Sequence, residues 1–531
     1  MKLTFDWEFP YSSQKIPLLA NNIVSTSHPL AAQAGLSMLK KGGNAVDAAI
    51  STAITLTVVE PVNNGVGSDA FAMVWDGKAL HGLNASGKSP KLWTRDHFSQ
   101  YKKMPLTGWD TVTVPGAVSA WMELWKKFGL LEFEQLFEPA IKYAKEGFLV
   151  PPIIADIWNV AGKVYKKRDF PEFHSVFLPH GRSPKAGERF RIPELSKTLE
   201  LIAKTKGEAF YKGKLAQDIV EHAKDTGGLL SMKDLKTHEV LWQEPLSIEY
   251  NGIKVHELPP NGQGLAALIA LGILRGFDLR ELGKNSAEAV HLQIEAMKLG
   301  FADAYRYISD PDNLDFDPST LLKSQYLEKR ANLIDIKKAK SFQHGSPKYE
   351  GDTVYLTTAD KSGMMVSYIQ SNYFGFGSGI VIPNTGISLQ NRGNCFTLQE
   401  NHSNQVGPNK RPYHTIIPAF VTKNNAPLMS FGVMGGRMQP QGHVQMITRI
   451  FDFGENPQAA IDAPRWRYKK GKKINKEKAF EQSMLKQLES RGHQIRTGNY
   501  LDFGGAQIIY KLKDGYLGAS ESRKDGYPVG F

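Results

Sequence analysis

Gly351-Asp352-Thr353-Val354-Tyr355-Leu356-Thr357-Thr358-Ala359-Asp360 places a threonine at the head of an alternating run rich in β-branched and aromatic residues. The alternation predicts a strand over 353–358. Cleavage of the backbone before Thr353 would give this residue both a hydroxyl nucleophile and a free α-amine to deprotonate it. An α-amine ordinarily titrates near ~7.7–8.0, so a working fraction is neutral at physiological pH. No separate histidine or aspartate is then needed to activate the hydroxyl. In this stretch alone an ordinary strand threonine is the simpler reading, and the surrounding sequence has to decide.

Downstream lie Phe376-Gly377-Ser378-Gly379-Ile380-Val381, Gly386-Ile387, Asn391, Phe396, Gly407-Pro408-Asn409-Lys410-Arg411-Pro412 and Gly432-Val433-Met434-Gly435-Gly436. With Thr353-Val354-Tyr355 this succession resembles the small subunit of γ-glutamyltransferases, N-terminal-nucleophile hydrolases made as precursors that cut themselves. The resemblance continues upstream through His28-Pro29-Leu30-Ala31, Gly42-Gly43-Asn44-Ala45-Val46-Asp47-Ala48-Ala49, Thr113-Val114-Pro115-Gly116 and Pro259-Pro260-Asn261-Gly262-Gln263-Gly264. His291, Glu295-Ala296, Phe301-Ala302-Asp303-Ala304 and Asp462-Ala463-Pro464-Arg465 complete it, so it runs in order over nearly the whole chain.

What the resemblance implies is specific. The fold would be α+β, a four-layer αββα sandwich shared by a large subunit (1–352) and a small subunit (353–531). Autocatalytic cleavage would fall between Asp352 and Thr353, leaving a heterodimer, with pairing of heterodimers left open. Gly435 and Gly436 match the paired glycines of the oxyanion site, and Ser371 a hydroxyl residue beside the nucleophile. The activity would be hydrolysis of γ-glutamyl or related acyl amides such as glutathione, with transfer to an amine as a second outcome.

The substrate-reading positions depart from the family. Ser86 stands where an arginine holds the α-carboxylate, and Cys395 where an aspartate holds the α-amine. Arg392 replaces a glutamine, His414-Thr415 a serine pair, and Tyr373 an asparagine near the nucleophile; the lid after Phe396 is short. A site that loses both charged partners loses most of its discrimination for glutamyl. Arg392 is suited to holding a carboxylate in bidentate fashion, with a surface or structural ion pair as the competing role. A desamino acyl group such as glutaryl then fits, as in the branch resembling cephalosporin acylases, and an open pocket favours water as acceptor.

Composition narrows the remaining classes. The chain has 531 residues, 41% hydrophobic and 22% charged, which suits a protein with a sizeable core. Its charge of +12 is scattered, and the Lys469-Lys470-Gly471-Lys472-Lys473 cluster comes with no nucleic-acid motif, so no nucleic-acid partner is expected. The stretch from Met1 to Asn22 lacks an apolar signal core, and 45–59 is too short to cross a bilayer, which predicts a cytoplasmic protein with no membrane partner. One cysteine, Cys395, fits a reducing compartment. No cofactor or metal is expected: the 14 histidines show no zinc spacing, and His291, Glu295 and Asp303 sit at helical intervals that favour packing.

Two other functions compete. Gly82-Leu83-Asn84-Ala85-Ser86-Gly87-Lys88-Ser89 satisfies G-x-x-x-x-G-K-[ST], the phosphate loop of nucleotide hydrolases. Pro90 biases Ser89 away from helix, and no amphipathic helix follows. A catalytically dead homologue acting as a binding protein is the third class. Helices are expected at 31–41, 44–59 (capped by Asn44), 117–128, 133–146, 193–206 and 287–307. Strands are expected at 71–75, 246–257, 353–358, 364–370, 387–391, 419–422, 428–431 and 507–511. The stretch 337–350 reads as a flexible segment.

Overall fold

The computed structural model describes residues 15–342 and 352–531. The first fourteen residues, Gly351 and the 343–350 part of the expected flexible segment lie outside the described residues. Two seven-stranded antiparallel sheets form the centre. The first runs, edge to edge, Val529–Gly530, Ile23–Thr26, Asp352–Ala359, Met365–Tyr373, Asp69–Trp75, Leu80–Asn84 and Leu241–Gln243. The second runs Leu18–Ala20, Gly515–Ser520, Gly505–Leu512, Ala426–Met434, Ala419–Lys423, Ile253–Glu257 and Leu246–Tyr250. Each sheet therefore interleaves strands from before and after Thr353.

Side-chain alternation builds the layers. Phe71, Met73 and Trp75 of one strand join Tyr355, Met365 and Ile369 in a core between the sheets, meeting Phe420, Met434 and Ile509 from the second sheet. The intervening Ala70, Ala72, Val74, Leu356, Val366 and Tyr368 face outward into a helical layer that includes Ala45–Val59 and Ala117–Phe128. A second helical layer, built on Gly264–Leu274, Ala287–Tyr307 and Met438–Ile447, covers the other sheet. Period-two alternation with both faces buried gives the four-layer αββα sandwich that the resemblance implies.

Local chemistry accounts for most boundaries. Asn44 caps Ala45–Val59 through a capping box with Asp47. The expected strand 246–257 is instead a hairpin: Asn251 (φ +46°) and Gly252 (φ +77°) take the left-handed conformations of a tight turn between Leu246–Tyr250 and Ile253–Glu257. The expected helix 133–146 begins as a 3₁₀ turn, Phe133–Phe137, before the helix Glu138–Glu146 with Pro139 in its first turn. The expected strand 387–391 is reduced to Ile387–Ser388, because Asn391 opens a 3₁₀ turn at Arg392–Cys395. The phosphate-loop reading is overturned. No helix opens at Lys88; it pairs with Asp312 at the surface (3.0 Å), and Ser89 hydrogen-bonds Gly407 and Lys410 of a neighbouring loop. Without helix N–H groups there is no phosphate cradle.

At the end of Ala45–Val59 the buried Glu60 carboxyl accepts from Ser27 Oγ and Asn63 Nδ2, both at 2.6 Å. Burial pushes it up to about 7, against the pull of Lys524. The folded chain thus keeps a proton that the unfolded chain releases near 4.5, and stability from this site falls as pH rises through that window. Glu60→Gln keeps the acceptor and removes the titration. Its unfolding free energy relative to the parent should rise by on the order of 3 kcal/mol between pH 4 and pH 8. Chemical denaturation at both pH values checks this, and a pH-independent difference would count against the assignment.

Candidate active site

The strand Asp352–Ala359 is irregular at the position that matters. Asp352 faces Tyr373 and Val354 faces Gln370, so Ser371 and Asn372 together oppose Thr353. Such a bulge re-aims side chains, and Tyr373 takes the strained φ of +79° beside it. Thr353 is fully buried. Its Oγ1 lies 3.3 Å from Ser371 Oγ, which also accepts from Tyr373 N at 2.8 Å. Gln439 Nε2 donates to the same Thr353 oxygen at 3.4 Å, while Gln439 Oε1 accepts from Ile417 N at 2.9 Å. The amide is thereby fixed in orientation, one end on the backbone and one on the hydroxyl.

Gln439 sits in the first turn of Met438–Ile447, just past Gly435 and Gly436. These glycines have φ of +123° and +57°, values that favour glycine. Their carbonyls turn toward the helix start: Gly435 O accepts from Met438 N, and Gly436 O from Gln439 N and from Gln263 Nε2 (2.9 Å). A trans peptide holds its N–H opposite its carbonyl, so the Gly435–Gly436 peptide directs its N–H away from the helix.

Gln263 links this turn to a second cluster. Its Nε2 also reaches Thr415 O (2.6 Å), and its Oε1 accepts from Tyr413 OH (2.9 Å). Thr415 Oγ1 accepts from Arg392 Nη1 at 2.7 Å. The Arg392 guanidinium lies over the Tyr373 ring, 4.7 Å from its centroid, and the Cys395 thiol sits against both residues. Burial pushes that thiol up, so it is neutral. Arg437 lies 5.3 Å from the Tyr305 ring centroid, near Tyr373, Tyr413 and Cys395. The structure thus gathers Tyr373, Arg392, Cys395 and Thr415 in one place.

His414 and Ser86 are placed differently. His414 turns from Thr415 toward Phe71 and donates through Nε2 to Asp69 Oδ2 at 3.1 Å. Burial, then Arg392, holds its imidazole well below the usual value, so it is neutral. Burial raises Asp69 to about 7 against the opposing charge of Arg392. The Ser86 hydroxyl donates to Asn84 Oδ1 (2.7 Å) and accepts from Asn261 Nδ2 (3.2 Å). Asn261 O in turn accepts from His414 N. Ser86 thus supports the His414 segment, and no contact with Arg392 is among its hydrogen bonds.

Gln439, Asp69 and Arg437 carry no role in the sequence reading, and Gln263 enters it only within the Pro259–Gly264 match. Position is the local signal for two of them: Arg437 follows the paired glycines directly and Gln439 two residues later. A further cluster, His291, Glu295 and His493, has ligand-type atoms within 4.8 Å of one another. His493 comes from a distant strand connection, so helical spacing alone did not reveal it. Lys298 Nζ, 2.5 Å from Glu295 Oε1, supplies the positive charge there, and His291 Nδ1 is 2.8 Å from His493 Nε2. Asp303 pairs with Arg330 at 2.7 Å. No helix among the described residues is long and apolar enough to cross a membrane.

Comparison with known proteins bears on this geometry. The family model for gamma-glutamyltranspeptidase matches residues 31–531. The chain belongs to that family. It is 38% identical to the glutathione hydrolase-like YwrD proenzyme of Bacillus subtilis, over 96% of this chain and 98% of the relative. It is 33% identical to the oxamate amidohydrolase proenzyme of Klebsiella pneumoniae, over 95% and 97%. Among solved structures, cephalosporin acylase from Bacillus halodurans superposes with a TM-score of 0.95 at 46% identity, covering 100% of this chain and 99% of that one. The protein is an amidohydrolase-type enzyme with the N-terminal-nucleophile hydrolase fold, in the branch that includes acylases.

Proposed function

We propose that Thr353 is the nucleophile of an autoprocessed amidohydrolase acting on small acyl amides. The observation that carries this reading is the buried Thr353 hydroxyl held between Ser371 and Gln439. In maturation, Thr353 Oγ attacks the carbonyl carbon of Asp352. The C–N bond breaks as the ester forms, and the proton from Oγ passes to the departing nitrogen. Water then opens the ester, releasing the Asp352 carboxylate and restoring the Thr353 hydroxyl beside the α-amine freed in the first step. In turnover that amine takes the hydroxyl proton while Oγ attacks the substrate amide. The N–H groups at Gly435 and Gly436 stabilise the oxyanion, a contribution worth several kcal/mol per donor. The protonated α-amine then gives its proton to the leaving amine, and water resolves the acyl-enzyme.

The relatives are named for glutathione, oxamate and cephalosporin, and we read the substrate as an acyl amide within that range. Hydrolysis is favoured over transfer because the segment after Phe396 is short. The fragments 1–352 and 353–531 stay together through the two shared sheets, and the single Cys395 fits a reducing, cytoplasmic setting. Denaturing intact-mass analysis with N-terminal sequencing tests the proposal. Two fragments are expected, the second beginning at Thr353; active material with only the original N-terminus would defeat it. Native mass measurement on the same sample reads whether heterodimers pair.

A further inference from the structure

The uncut chain has a chemical need that the finished enzyme lacks. Before cleavage the nitrogen of Thr353 is an amide, not an amine, and cannot take the hydroxyl proton. Another group must hold that proton while Oγ attacks Asp352, then deliver it to the nitrogen as the C–N bond breaks. Among the described residues, Asp69 is placed for this. It opens the strand Asp69–Trp75 and stands directly opposite Ser371, whose Oγ is 3.3 Å from Thr353 Oγ1. Opposed residues of antiparallel strands project to the same face, with Cβ atoms about 5 Å apart. That face is the one between the sheets, where Phe71 and Ile369 lie two residues along each strand.

Asp69 is fully buried but not saturated. Its Oδ1 accepts from Gly116 N and its Oδ2 from His414 Nε2, both at 3.1 Å, and Gly87 N is a third donor. A carboxylate offers about four acceptor positions, so one more donor can be received. The charged and titratable groups around it among the described residues are Arg392, Arg411, His414 and Tyr211. Both arginines favour the charged carboxylate, yet burial outweighs them and raises Asp69 to about 7. His414 is neutral and its Nδ1 accepts from Ile416 N (3.4 Å), so it orients Asp69 without competing for the proton. A base that titrates near working pH both takes and returns a proton readily.

We propose that Asp69 receives the Thr353 proton through Ser371 during maturation and returns it to the departing nitrogen. This rests on Thr353 being the nucleophile. As Thr353 Oγ bonds to the Asp352 carbonyl carbon, its proton moves to Ser371 Oγ and the Ser371 proton moves to an Asp69 oxygen. The same transfers run in reverse as the C–N bond breaks, and the nitrogen gains the proton. The ester, the free α-amine and an ionised Asp69 result, and no co-reactant is consumed.

The test follows cutting of full-length chain, pulse-labelled during cell-free synthesis, by denaturing electrophoresis between pH 5 and pH 9. The parent rate should climb about 10-fold per pH unit below about 7 and level off above it. Asp69→Asn should be at least about 100-fold slower at pH 8 and lose that slope, with Asp69→Glu recovering part of both. Glu60→Gln should keep rate and slope, although Glu60 is also raised to about 7. A flat parent profile, which needs no variant to fold, overturns the proposal. So does a uniform slowing in Asp69→Asn with the slope kept, which is structural support alone. Loss of the slope in Asp352→Asn or Glu60→Gln but not in Asp69→Asn also overturns it, by moving the proton to another carboxyl. Thr353→Ala separates this proposal from the one beneath it. If that variant still cuts, the nucleophile assignment fails and takes the relay with it. If it stays whole while the parent profile is flat, Thr353 stands and Asp69 fails.

Discussion

Thr353→Ala leaves the protein as one polypeptide of 59.1 kDa under denaturing conditions, with amide hydrolysis reduced at least ~10³-fold. On the proposed mechanism the substitution removes the oxygen that would attack Asp352 in maturation and the substrate in turnover, so both readouts should fall together. Folding is not the cause, because the hydroxyl contributes only two long hydrogen bonds, 3.3 Å to Ser371 and 3.4 Å from Gln439. Losing them costs about 1 kcal/mol. Thr353→Ser keeps the oxygen and should still process, which separates a missing nucleophile from a disturbed strand. Denaturing electrophoresis over a long incubation reads the result. Continued scission at Asp352–Thr353 in the alanine variant would mean that another protease cuts the chain.

Gly435→Ala should lower kcat by about 10²–10³-fold while leaving a folded protein. A φ of +123° is unfavourable for alanine. The added Cβ would also stand 2.9 Å from Gly504 Cα, a backbone atom with little freedom to yield. Relief requires the Gly435–Gly436 peptide to rotate, and that rotation would swing its N–H off the proposed oxyanion position. Gly454→Ala is the control: its φ is +67°, and its Cβ would meet nothing within 4 Å. It should cost about 1 kcal/mol of stability without changing kcat. Steady-state kinetics on an acyl anilide, with circular dichroism of both variants, checks the contrast. Equal kcat in the parent and Gly435→Ala would remove these glycines from the reaction.

The sequence made local features readable and left long-range partnerships hidden. Asn44 announced a helix start, and the alternation after Thr353 announced a strand. The Asn251-Gly252 turn was equally local and was read through, which merged a hairpin into one strand. The phosphate-loop match failed for the opposite reason. Its letters were right, but Pro90 and the neighbouring 407–411 segment kept Lys88 and Ser89 out of any helix. At the site, pattern pointed to Thr353, Ser371 and the paired glycines. Nothing in pattern distinguishes Thr415, which meets Arg392, from His414, which turns to Asp69 345 positions away. Gln439 has the same character: its role depends on a helix start meeting a bulge that no periodicity encodes.

The interleaving of strands in both sheets reaches beyond stability. An intact precursor collapses as one tethered coil, so its assembly is first order in protein. Severance before Thr353 would divide that coil while leaving each sheet complete, and any later melting releases two partners that must find one another again. The finished enzyme would then depend on a slow unravelling rate rather than on an equilibrium it can revisit. Processing would give the molecule its chemistry and, in the same stroke, make its architecture a one-way product of synthesis.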